Sequence, residues 1–108
     1  MGNSSSSRER FREAIELLAT EDVPRDDTGF WDELWKLPMT TEEVFELVSP
    51  SDVRALRKSR PRNLHTLFDQ AVCQLCLVIQ TPLPIYFDHA LNCVRVLTRL
   101  LPFMLENP

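Results

Sequence analysis

A chain of 108 residues, 44% hydrophobic and 26% charged, allows one small domain or part of a larger one. Two glycines against eight prolines argue for helices separated by proline stops, and no stretch alternates apolar and polar residues as a half-buried strand does. The net charge of −4 divides into −8 for residues 1–53 (13 acidic, 5 basic) and +4 for residues 54–108 (3 acidic, 7 basic); a net acidic chain with no aromatics interleaved in its basic run argues against a nucleic-acid partner.

The first element is a tail. Met1-Gly2-Asn3-Ser4-Ser5-Ser6 fits the pattern M-G-x-x-x-[ST] for N-myristoylation, which makes Gly2 the candidate lipidation site and residues 1–7 a disordered leash. The alternative is a polar tail that begins with glycine by chance. One myristoyl chain binds membrane with K on the order of 10⁴ M⁻¹, so a second membrane signal is required.

Arg8 to Thr20 follows as an amphipathic helix with Phe11, Ile15 and Leu18 on one face. Its polar face mixes both charges, which suits docking on the body better than lying on a membrane. An acidic linker, residues 21–28, leads to a short helix that carries both tryptophans. Phe30, Trp31, Leu34 and Trp35 cluster on its one side. Trp31 and Trp35 are candidate partner-binding aromatics, but a helix this short needs tertiary support, and anchoring it to the body is the favoured reading.

Pro38 ends that helix. Thr40 with Glu43 forms a capping box for the next, and Ser49-Pro50 starts another, with Ser49 as N-cap, Pro50 at the first helical position, and Val53 and Leu56 facing inward. Five cations then fall within nine positions: Arg54, Arg57, Lys58, Arg60 and Arg62. They are a candidate membrane-contacting cluster. The competing reading is a solvated helix C-terminus paired with upstream acids.

The rest of the chain reads as a long αα-hairpin. One helix runs from Asn63, read as its N-cap, to Ile79; Thr81-Pro82-Leu83-Pro84 breaks it; a second runs from about Ile85 to about Glu106. Leu64, Leu67, Phe68, Ala71, Val72, Leu75, Val78 and Ile79 share the first helix's apolar face. In the second helix Phe87, Ala90, Leu91, Val94, Leu97, Thr98 and Leu101 are expected inward, with Asn92, Arg95 and Arg99 on the wet side. The stripes are broad enough to want more than one neighbour each. The fold class is therefore all-α: short helices packed on a long antiparallel hairpin over residues 8–108, as at the start of an α-solenoid.

Cys73-x-x-Cys76 and His89-x-x-x-Cys93 have a spacing that zinc sites use, but the cysteines sit in apolar helical runs without a turn between them and read better as small buried hydrophobes. Three such cysteines suit a reducing compartment. No catalytic residue, metal site or cofactor is assigned: His65 and His89 have no carboxylate or serine at a suggestive spacing, and no Gly-rich phosphate loop exists. No secretory signal or transmembrane span is present.

Several stretches together resemble a known family: the Met1-Gly2 serine tail, Phe11-Arg12-Glu13-Ala14, Phe30-Trp31-Asp32-Glu33-Leu34-Trp35, Glu43-Val44-Phe45-Glu46-Leu47-Val48, Asn63-Leu64, and Leu91-Asn92-Cys93-Val94-Arg95-Val96-Leu97-Thr98-Arg99-Leu100-Leu101-Pro102. The chain is similar to the N-terminal region of the high-temperature-induced dauer formation protein family, related to dymeclin. The resemblance implies a cytoplasmic, N-myristoylated protein peripheral on Golgi and trans-Golgi membranes. It implies a non-enzymatic part in secretory traffic, including trans-Golgi sorting and dense-core vesicle formation, with unidentified trafficking proteins as partners and no small-molecule substrate. It also implies a longer helical protein of which this is the first part. The alternative is a soluble helical protein–protein interaction module without a lipid anchor.

Overall fold

The computed structural model describes residues 3–105, with side chains from Ser7 onward. Six helices account for the fold: α1 (Asn3–Thr20), α2 (Thr28–Lys36), α3 (Thr41–Leu47), α4 (Pro50–Ser59), α5 (Pro61–Gln80) and α6 (Pro84–Met104). The described residues contain no strand. α1 begins upstream of Arg8, where its apolar periodicity starts.

Local chemistry sets most boundaries. Asp27 accepts from Phe30 N at 3.2 Å and opens α2. Thr40 and Glu43 form the reciprocal capping box of α3, and Ser49 and Asp52 form a second one at α4, with Pro50 in the first turn. Arg60 (φ −140°, ψ 63°) ends α4 and precedes α5 at once, because Pro61 disfavours the helical conformation in the residue before it. Pro84 opens α6 in the same way after Thr81 ends α5.

α5 and α6 form the expected hairpin. α2, α3 and α4 pack along α6, and α1 lies across α3, α4 and α5. The core where these layers meet is mainly apolar: Phe11, Leu18, Val44, Val96 and Leu100 are sealed from solvent, and Trp31, Leu34, Trp35, Val53, Leu64 and Leu67 nearly so. Phe11, Ile15 and Leu18 face inward as their spacing predicts. An exposed Arg8–Glu46 ion pair also ties α1 to α3, though pairs of this kind add little stability.

Two sequence expectations are overturned. Asn63 does not cap its own helix, which starts two residues earlier. Its side chain is 1% exposed and reaches back to α1. Its Nδ2 donates to Leu18 O at 2.7 Å and Glu21 O at 2.6 Å, and its Oδ1 accepts from Val23 N at 3.1 Å. A helix end leaves its last carbonyls without intrahelical partners, and burial makes a donor obligatory there.

The second correction concerns α6, whose faces are exchanged. Asn92, Cys93, Val96, Leu100 and Phe103 are buried, while Phe87, Leu91, Val94, Thr98 and Leu101 are exposed. The cause lies in α2 and α3. Both end against α6 with unmet carbonyls, and the polar stripe of α6 supplies the donors. Asn92 Nδ2 donates to Trp35 O at 3.0 Å and Leu37 O at 2.7 Å. Arg95 Nη1 donates to Met39 O at 2.8 Å, and Arg99 reaches Val48 O at 3.1 Å and Phe45 O at 2.9 Å. A carbonyl buried without a donor costs about 1–3 kcal/mol. Two of these five contacts are buried and three part-buried, and Cys93, Val96, Leu100 and Phe103 keep the same side apolar, so turning it inward meets the carbonyls while still burying a hydrophobic face.

Along α5 the predicted face holds only in its first half. Leu64, Leu67 and Ala71 are buried and Phe68, Leu75 and Val78 half-buried, but Val72 and Ile79 are exposed. No residue from Val72 to Leu91 is buried, so the tip of the hairpin stands clear of the short helices.

Candidate functional site

The predicted sites scatter over the molecule. Gly2 lies outside the described residues. Trp31 and Trp35 are each 1% exposed, so neither is available to a partner, and the partner-binding alternative for them fails. Trp31 stacks edge-on against Phe30 (centroids 4.8 Å apart, planes at 88°) and donates Nε1 to Pro24 O at 2.9 Å. Trp35 Nε1 is buried and without a partner, which marks the indole as placed for its apolar volume. A nine-residue helix holds its position by burying these two rings.

The basic cluster divides. Arg60 is committed to Asp22 at 3.1 Å and Thr20 O at 2.8 Å, closing the end of α1 against α4. Arg57 is half-buried and donates to Phe103 O at 3.4 Å. Arg54 is exposed and lies over the Phe103 ring, 5.3 Å from its centroid. Lys58 and Arg62 are exposed as well. The sequence shows five neighbouring cations; the fold leaves three of them on the surface.

The zinc spacing does not assemble. Cys73 and Cys76 are exposed on α5, against the expectation of buried thiols, and only Cys93, on the inner side of α6, is buried. Among the described residues no three His, Cys, Asp or Glu side chains converge as metal ligands. Burial pushes the Cys93 thiol up to about 12, which keeps it protonated and unreactive at neutral pH.

The broad stripes expected to want a further neighbour have their counterpart on the surface, though not on the residues expected outward. All the exposed large hydrophobics among the described residues belong to the hairpin and the residue after it: Val72, Ile79, Leu83, Ile85, Phe87, Leu91, Val94, Leu101 and Leu105. At one edge, Ile85 and Leu91 also line a groove of about 460 Å³ between α6 and the α2–α3 link, where Pro38, Met39 and His89 join them. Nine large apolar side chains, 38–80% exposed and gathered on one hairpin, are the mark of an interaction face. The signal was present in the sequence as a stripe too broad for one neighbour. No helix among the described residues is long and apolar enough to cross a membrane.

The family model described as Hid1, high-temperature-induced dauer-formation protein, matches residues 1–108. The chain is 36% identical over 110 residues to human "Protein HID1", a match covering 97% of this chain and 14% of the human one. A Schizosaccharomyces pombe "Hid-1 family protein" is 37% identical, with 96% of this chain and 14% of that protein covered. A second protein of that yeast, "Ubp5-interacting protein ftp105", is 32% identical over 94% of this chain and 12% of its own length. The chain thus spans about one-seventh of the length of the relatives it matches. No solved structure matches.

Proposed function

The chain belongs to the Hid1 family, as its N-terminal region, and from that premise we propose that it is an N-myristoylated peripheral Golgi membrane protein acting as a non-enzymatic scaffold in secretory traffic. The observation that carries the reading is the opening Met1-Gly2 followed by small, uncharged residues with Ser6 at the preferred position. Acylation at Gly2 puts the protein on the cytoplasmic side of trans-Golgi membranes. There it serves sorting and dense-core vesicle formation through other trafficking proteins. One relative is named for a protein partner, which fits a scaffold. None of the relatives' names states a catalytic activity. The exposed Arg54, Lys58 and Arg62 supply the second membrane signal, at about 1 kcal/mol each near anionic lipid.

The test is the mass of the N-terminal peptide after co-expression with an N-myristoyltransferase, beside Gly2→Ala. A myristoyl adduct on the unsubstituted chain alone is expected, with release of the Gly2→Ala chain from membranes. An unmodified N-terminus overturns the tether. The exposed hairpin face favours a second reading, a soluble helical interaction module without lipid, whose localisation Gly2→Ala leaves unchanged.

A further inference from the structure

We infer that the outer face of the α5–α6 hairpin is the seat of the helical segment that follows this region in the longer Hid1 proteins. The inference rests on family membership and is independent of the lipid anchor.

Three observations converge. The first is the pattern. Phe87, Leu91, Val94 and Leu101 are 41–51% exposed and repeat at helical spacing along one side of α6. From Phe87 to Leu101 the stripe runs about 21 Å, the length of a four-turn helix laid beside it. Helices α1 to α4, by contrast, expose no large hydrophobic side chain.

The second is charge. Arg95 and Arg99 turn to the inner side of α6, where they are held by the carbonyls of Met39, Phe45 and Val48. The outer stripe from Leu91 to Leu101 is left without a cation. The exposed cations of the basic cluster lie instead on α4 (Arg54, Lys58) and at the start of α5 (Arg62), where Arg54 covers Phe103 on the inner side of α6. An anionic membrane would choose the α4 side; the uncharged stripe suits another apolar helix.

The third is length. The match covers nearly all of this chain but only 14% of the human relative, and it is the N-terminal region that matches. Most of such a protein therefore follows α6. Consecutive elements pack as neighbours, and a helix leaving the Met104 end by a short turn returns antiparallel along α6. The side open to it carries Leu101, Val94, Leu91 and Phe87; the other is filled by α2, α3 and α4. Stacking each helical hairpin on the apolar back of the one before is how repeat proteins build a continuous core.

The experiment is carbene footprinting of the 108-residue chain and of the full-length human relative, each with its mass in solution measured by light scattering. Leu91, Val94 and Leu101 are expected to label in the short chain. The aligned positions of the monomeric full-length relative are expected to label severalfold less, while α1 to α4 label alike in both. Equal labelling in the two proteins overturns the inference. Protection that accompanies a dimer mass in either protein assigns the face to a second copy and overturns it too. Protection of the full-length relative that appears only with anionic vesicles assigns the face to lipid, with the same consequence.

Discussion

Arg99 lies over the ring of Phe45, its guanidinium carbon 4.6 Å from the centroid, and donates Nη2 to the carbonyl of that same residue at 2.9 Å. Its Nε reaches Val48 O at 3.1 Å, so one planar side chain closes the C-terminus of α3 and covers its aromatic residue. Arg99→Lys keeps the charge but has no fork to span both carbonyls. We expect it to cost on the order of 1–2 kcal/mol in denaturant unfolding, and Arg99→Met about 2–3 kcal/mol. A solvated arginine would change stability by less than about 0.5 kcal/mol on either substitution, which is the outcome that contradicts the role given to it here.

Asn63 permits a sharper test, because its two readings predict opposite results for one substitution. Aspartate is as good an N-cap as asparagine, and its charge is favourable in a first helical turn. If Asn63 served its own helix, Asn63→Asp would be neutral or stabilising. The structure instead uses the amide as a donor to Leu18 O and Glu21 O. A carboxylate has no hydrogen to give and would face two carbonyl oxygens in a buried site. Asn63→Asp should therefore lose on the order of 2–4 kcal/mol, close to Asn63→Ala, with early loss of α1 protection in hydrogen exchange.

These residues also show where the sequence stops being readable. Caps are local: Thr40 with Glu43, Ser49 with Pro50 and the proline stops each involve neighbours, and all are present as read. The apolar faces of α1 and α4 were legible because each has one apolar side. α6 has two. Cys93, Val96, Leu100 and Phe103 compete with Phe87, Leu91, Val94 and Leu101, and counting hydrophobic residues picks the wrong set. The choice is made by carbonyls of Trp35, Leu37, Met39, Phe45 and Val48, some fifty residues away in sequence. Asn63 was misread for the same reason: its partners belong to another helix. Within the basic cluster, net charge could not say that Arg57 and Arg60 serve carbonyls while Lys58 and Arg62 stay in solvent.

Cys93 links that hidden face to pH. Its thiol is fully buried, and burial raises its pKa from 9.0 to about 12 because the thiolate cannot be solvated there. The unfolded chain gives up this proton earlier than the folded one. Above the unfolded pKa the native state holds more protons, and its stability falls as pH rises. The stability is complete below about 9 and is lost progressively up to about 12. The slope is about 1.4 kcal/mol per pH unit, so moving from about pH 8 to about pH 10.5 should remove about 2 kcal/mol on this account alone. Alkaline pH acts on the whole chain and not on this thiol alone. The measurement is therefore the difference between the unsubstituted chain and Cys93→Val, which is similar in volume and cannot ionise. Denaturant unfolding at both pH values should show the loss in the former reduced by about 2 kcal/mol in the latter. A thiol reagent gives an independent reading: the exposed Cys73 and Cys76 should react in the native protein, and Cys93 only after unfolding. Equal alkaline slopes for the two chains, or a third thiol titrating under native conditions, would show that α6 does not present this side to the core.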